Sequence, residues 1–140
     1  MANLQRIDCT GKTVRAINRE MRSAVAAGDT VAVANPAARH NLGVALRTPG
    51  HVVFDGSAGY YCAGMNDGAP VEVRGSAGWG LAEGMLSGAV SVDGNAGNGA
   101  AASIRGGTVV VKGDCAARAG VSMKGGLLLV GGDVGYMTAF

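Results

Sequence analysis

Two glycine-rich runs are the first candidates for chemistry: Gly75-Ser-Ala-Gly78-Trp-Gly80 and Gly94-Asn-Ala-Gly97-Asn-Gly99. Glycines at such spacing bring backbone N–H groups against a pyrophosphate when a strand precedes them and a helix follows. Here each run leads into another glycine-punctuated segment, and five near-copies recur along the chain. That marks a structural repeat, not a nucleotide site. Other reactive side chains are scattered. His51 and Asp55 lie close in sequence, but spacing puts no serine or cysteine nucleophile beside them. His40 is the other histidine, and both read as turn or surface residues. Glu83 and Asp67 stand singly, so no paired acid and base is legible. Cys9, Cys62 and Cys115 are odd in number and far apart. They match neither a disulfide framework nor a CxxC metal pair, and alone they cannot ligate an iron–sulfur cluster. They read as small buried hydrophobes. No catalytic constellation emerges.

The elements behind these residues come from a period of nineteen. Rows starting at Val52, Val71, Val90, Val109 and Leu128 open VVFDGSAG, VEVRGSAG, VSVDGNAG, VVVKGDCA and LLVGGDVG. The fifth residue of each row is glycine: Gly56, Gly75, Gly94, Gly113 and Gly132. The eighth is Gly59, Gly78, Gly97 and Gly135, with Ala116 the exception. Apolar first and third positions give strand periodicity with one face inward. No row has room for a strand and a full helix. A short repeat with glycine corners is one coil of a parallel β-solenoid, whose coils lie about 4.8 Å apart. The predicted fold is therefore mainly β, a parallel β-helix with one N-terminal α-helix.

The columns agree with stacking. The seventh position is small and apolar (Ala58, Ala77, Ala96, Cys115, Val134), and the twelfth is small (Ala63, Ala82, Ala101, Gly120, Ala139). The fourth alternates in sign, Asp55, Arg74, Asp93, Lys112. Such exposed pairs contribute little energy; their use is register, unless the alternation is accidental on a solvated face. Met65, Met85, Ile104 and Met123 read as a core column, with a methionine-lined ligand site as the rival. Just after the Gly-x-x-Gly corner stand Tyr60, Trp79, Asn98, Ala117 and Tyr136, with Tyr61 and Met137 alongside. These rings are expected to point outward. They form either a partner surface or a self-stacked column that stiffens the solenoid.

Residues 4–8 suit a short strand. Thr10 or Thr13 then caps a helix running to about Ala27, ended by Gly28. Val14, Ile17, Met21 and Val25 share one face, and Arg15, Arg19 and Arg22 form a basic stripe beside it: a solvated face, or contact with an acidic partner. Residues 1–29 thus read as strand and capping helix, and residues 30–140 as solenoid. The first coil is degenerate, with Asn35 and Ala38 where the repeat has glycines. An atypical terminal coil is expected, with the helix over or beside its open end. The last row stops at Phe140, and the expectation is that the solenoid continues in a longer protein.

Composition fits: 25 glycines, 48% hydrophobic and only 4% aromatic residues. Residues 1–50 carry seven Lys/Arg against three Asp/Glu; residues 51–140 carry five against seven. This balance is too mild for a nucleic-acid protein. No segment approaches the roughly 20 apolar residues of a membrane span, and no leader opens the chain. A cytoplasmic location is expected.

The runs VRGSAGWGLAEGMLSG (Val73 to Gly88), VDGNAGNGAAASIRGG (Val92 to Gly107) and VGGDVGYMTAF (Val130 to Phe140) resemble the GXGXG domain, the right-handed β-helix that closes the large subunit of glutamate synthase. TVRAINREM (Thr13 to Met21) is similar to the helix leading into it. Ala116, Asn35 and Ala38 depart from the pattern and leave the first coil's register open. The family includes stand-alone chains, and the resemblance is nearest to these, such as the small GXGXG subunit of N-methylglutamate synthase (methylamine–glutamate N-methyltransferase). It implies a hetero-oligomer in which this chain binds no cofactor. A glutaminase-type amidotransferase subunit and an FMN, iron–sulfur subunit would carry the chemistry. The C subunit of formylmethanofuran dehydrogenase shares the fold and stays open as an alternative. An independent β-helix acyltransferase is the rival from another class, although hexapeptide periodicity and a cleft histidine are missing.

Overall fold

The computed structural model describes residues 3–140. Seven strands stack in chain order, all parallel: β1 Leu4–Asp8, β2 Thr30–Ala34, β3 His51–Asp55, β4 Asp67–Val73, β5 Ser87–Val92, β6 Thr108–Val111 and β7 Leu127–Val130. Val52, Val71, Val90, Val109 and Leu128 are successive Cα partners, so residues nineteen apart are neighbours. The chain is a parallel β-solenoid with one helix, α1 Val14–Ala26, near its start.

Alternation turns the first and third residue of each nineteen-residue row inward. Val52, Phe54, Val73, Val92, Val109 and Val111 are fully buried. Each such side chain contributes about 1.5–3 kcal/mol. The corner beyond the strand carries a second ladder, Ala58 to Ala77 to Ala96 to Cys115 to Val134. The remaining side has no strand, yet it still bonds coil to coil. Gly80 N–H donates upward to Asn98 O (2.8 Å), Ala82 N–H downward to Cys62 O (2.8 Å), and Gly84 N–H upward to Ala102 O (2.9 Å). Residues there lie in the left-handed region at every second position, as at Gly80 (φ 73°), Ala82 (55°) and Gly84 (70°). In the twelfth column Ala63, Ala82 and Ala101 are both left-handed and fully buried, which suits small side chains.

The glycines of the fifth and eighth columns answer to close approach. A Cβ at Gly113 would run into Asn95 Oδ1 and lie 2.7 Å from the Gly94 carbonyl oxygen. One at Gly97 would lie 2.6 Å from Trp79 Cδ1 and 2.9 Å from the carbonyl carbon of Gly78. Ala116 is accommodated by a local change: its N–H reaches one carbonyl, Ala96 O, where Gly97 N–H reaches both Ala77 O and Gly78 O.

Two expectations need correction. Met65 is not in the core column; it is 43% exposed. Asn66 takes the place, since Leu86 N–H bonds Asn66 O as Arg105 N–H bonds Met85 O. Asn66 is fully buried, and its Nδ2 donates to Ala69 O (2.8 Å) and Ser87 O (3.1 Å) beside the register shift at Asp67/Pro70. In the first coil, β2 and β3 pair at an offset of 21 residues, Val31 with Val52. Asn35 therefore does stand beneath Gly56, but the offset drops to 20 at the corner. Ala38 N–H donates to Ser57 O, as Ala58 N–H does to Ser76 O. Ala38 thus lies beneath Ala58, not beneath Gly59.

Of the two possible caps, Thr13 is the one used: its Oγ1 accepts from Ala16 N–H at 3.1 Å. Gly28 (φ 87°) ends the helix. Ile17, Met21 and Val25 enter the core. Asn18, also buried, locks α1 to the first coil: Nδ2 donates to Asn41 O (2.7 Å) and Oδ1 accepts from Gly43 N–H (2.8 Å). β1 and α1 together stand in for a coil below the first. At the other end Leu127, Leu129, Val134 and Phe140 are exposed. Among the described residues, no helix is long and apolar enough to cross a membrane.

Candidate functional site

Position nine follows the tight Gly-x-x-Gly corner, and there Tyr60, Trp79 and Tyr136 are exposed whereas Ala117 is buried. The coil spacing therefore stacks whatever rings occupy it. His40 and Tyr60 stack with centroids 4.3 Å apart and planes 24° apart; Tyr60 and Trp79 follow at 5.3 Å and 14°. Tyr60 N–H also donates to His40 Nδ1 at 2.8 Å, which fixes Nδ1 as the acceptor nitrogen. Tyr60 and Trp79 nevertheless remain about half exposed. The self-stacked column is thus what His40, Tyr60 and Trp79 form, and the tyrosine and tryptophan rings face outward. His40 is its lowest member, a place the repeat does not reveal because it depends on the offset of 20.

Above Trp79 the column breaks. Asn98 and Ala117 carry no ring, and Asn98 Oδ1 accepts from Ala117 N–H at 3.0 Å. Tyr136 resumes the column, with the Arg118 guanidinium 5.6 Å from its ring centroid. Met137 lies exposed beside it. A groove of about 380 Å³ reaches from Tyr60 and Tyr61 past Trp79 and Glu83 to Asn98 and Arg118. Burial, helped by the Glu83 carboxylate, pushes the Tyr61 phenol above its ordinary value.

Arg15, Arg19 and Arg22 are exposed on α1 and make no ion pair among the described residues. Arg22 and Arg47 flank a small cavity of about 190 Å³ with Val25, Ala26 and Ala45. The fourth-column charges meet in two pairs, Asp55 with Arg74 at 4.0 Å and Asp93 with Lys112 at 2.8 Å. Arg74 turns to Glu72 (3.6 Å) instead of Asp93. Hydrogen bonding to Asp93 raises the Lys112 ammonium, with Coulombic attraction adding to it.

A polar ladder runs through position six, where residue types alone do not announce it. Ser57 Oγ accepts from Ser76 N–H, Ser76 Oγ from Asn95 N–H (both 3.0 Å), Asn95 Oδ1 from Asp114 N–H, and Asp114 Oδ1 from Asp133 N–H (both 2.8 Å). The one trace in the sequence is that every row carries Ser, Asn or Asp there. These are the oxygens that a β-carbon at the next coil's fifth position would strike.

No convergent chemistry appears among these groups. Burial pushes the Cys62 thiol up to about 12 and the Cys115 thiol up to about 11, so both stay protonated at neutral pH. Among the described residues, no three His, Cys, Asp or Glu side chains converge to hold a metal ion.

No family model matches the chain. No solved structure matches it. Protein GlxC of Rhizobium meliloti (strain 1021) is 45% identical over 71 residues, a stretch covering 49% of this chain and 31% of that protein. The chain thus spans under a third of the relative's length.

Proposed function

We propose that the chain is a non-catalytic scaffold subunit of a glutamate-synthase-like complex. Within that class we propose N-methylglutamate synthase, which makes N-methylglutamate and ammonia from methylamine and glutamate. A glutaminase-type subunit and an FMN, iron–sulfur subunit would dock on the solenoid and carry the reacting groups. The resemblance of the repeat to the GXGXG domain and the similarity to Protein GlxC support the family. One observation carries the scaffold role. The position-six polar side chains are spent on bonding rung to rung, in the Ser57–Ser76–Asn95–Asp114 series, and so serve the stack. The part left to this chain is to hold partners at fixed separation along a stiff axis.

The test is co-expression with a glutaminase-type and a flavin subunit from the same source. One complex should elute, with flavin absorbance, and methylamine should be consumed only when all the chains are present. Turnover by the purified chain alone on glutamate, or on any acyl donor, would overturn the reading.

A further inference from the structure

We propose that the outer face of the sheet pairs with the same face of a second copy of this chain, about a two-fold axis that runs along the strands at the level between β4 and β5. The inference goes beyond the scaffold reading and does not rest on it. Three columns of side chains point outward from the sheet, and all of them are half-buried or exposed. The two-fold keeps each column over itself and reverses the order of the coils. β4 then faces β5 of the second copy, β3 faces β6, and β2 faces β7. Sheets packed face to face lie about 10 Å apart with their strands nearly aligned, which this axis provides.

The columns complement themselves under that reversal. In the charged column, Asp55 meets Lys112 of the second copy and Arg74 meets Asp93. Every pair across the axis joins opposite charges, and these pairs add to those within the chain, Arg74 with Asp55 and Glu72, and Lys112 with Asp93. A shift by one coil would set Arg74 on Arg74 and Asp55 on Asp93. A two-fold along the stack would instead lay the charges over the column of Pro70 and Ala89. In the middle column Val53 meets Val110, both half-buried, and Glu72 meets Ser91. Leu129, 49% exposed, comes over Ala32. At Ala89 and Ser91 the face has a hollow of about 210 Å³, and the axis brings Pro70 and Glu72 of the second copy over it. Six strands of five positions make a face of about 470 Å² per copy. The pair buries roughly 950 Å², the size of a weak, reversible interface.

Sedimentation equilibrium over a concentration series should show a monomer–dimer equilibrium with a dissociation constant in the micromolar range. Asp55→Lys and Lys112→Glu should each weaken the dimer about tenfold, since each turns two exposed attractive pairs into repulsive ones. Together they should restore most of it. Within one chain these positions are three coils apart, about 14 Å, beyond the Debye length at physiological salt. Mutual rescue can therefore come only across copies. Ala89→Arg, at an exposed position, should abolish the dimer and leave the far-UV spectrum unchanged. A chain that stays monomeric at every concentration, a dimer that Ala89→Arg leaves intact, or single substitutions without rescue in the double variant would overturn the proposal. Loss of co-elution with a flavin or glutaminase-type subunit in Ala89→Arg, with the parent chain monomeric by itself, would assign the face to that subunit and equally overturn it.

Discussion

Ser103 and Ser122 both hold φ of 57° on the exposed part of the strandless side. A β-carbon in that region costs about 1–2 kcal/mol, and neither hydroxyl makes a hydrogen bond among the described residues. Ser103→Gly removes that cost and returns about 0.5–1 kcal/mol of backbone entropy to the unfolded chain. The expected net gain is roughly 0.5–1 kcal/mol, seen as a raised midpoint in urea. Ala101 has nearly the same φ, 58°, but is fully buried, so Ala101→Gly also loses a packed methyl and should show no gain. Asn66 goes the other way. Asn66→Leu matches the apolar column by size, yet it strips the donor from the Ala69 and Ser87 carbonyls. A loss of about 1–3 kcal/mol is expected, because buried acceptors left without partners cost that much. The same melts measure it. None of the left-handed alanines and serines is legible in the sequence, since only glycine advertises positive φ. Asn66 is hidden because Met65, one residue earlier, fits the apolar column better by type.

At the scale of the coil, the fifth and sixth positions act as one device. The side-chain oxygen of one rung lies over the glycine of the next. Gly113→Ala should push Asn95 Oδ1 away and crowd the Gly94 carbonyl, breaking the bond to Asp114 N–H. Overpacking of this kind costs about 1–3 kcal/mol, and equilibrium unfolding would report it. Ala116→Gly, in the column that already departs from glycine, should change stability far less. The strand repeat and its register are readable in advance because a two-residue alternation and a nineteen-residue period leave direct traces in residue type. The polar ladder is not, because Ser, Asn and Asp look like ordinary turn residues until the coils are stacked. The N-terminal cap is tied in by Asp8, whose carboxylate accepts from Thr10 N–H (2.9 Å) and Asn35 Nδ2 (3.1 Å). The Thr10 backbone bond first, then the Asn35 bond, hold Asp8 down at about 2. A depressed carboxylate stabilises the fold above its unfolded value of about 3.9. That contribution fades as pH falls from about 4 to about 2. Asp8→Asn should lower stability at pH 7, where the charged carboxylate contributes fully, and match the parent near pH 2, so that the loss across this window flattens. Unfolding measured at pH 2.5, 4 and 7 would decide.

For the whole molecule, neighbour-only contact means that coils are interchangeable parts. Deleting Val90–Thr108 joins Ala89 to Val109, and Ala89 and Thr108 are already Cα partners in adjacent coils. The shortened chain should fold cooperatively, with a smaller dependence on denaturant in proportion to the lost surface. Deleting one residue fewer, Val90–Gly107, shifts the strand by one and turns its inward valines outward, so that chain should not fold. The intact-coil deletion also tests what the alternating charges do. It sets Lys112 over Arg74 in place of Asp93, exchanging a 2.8 Å ion pair for a like-charge contact. If the ladder specifies register, the deleted chain should gain stability with added salt relative to the full chain, and Lys112→Glu should restore it at low salt. If the alternation is incidental, salt will move both chains alike, because exposed charges about 4.8 Å apart in water are worth about 1 kcal/mol or less. Stacking order would then be held by the valine columns and the glycine corners alone.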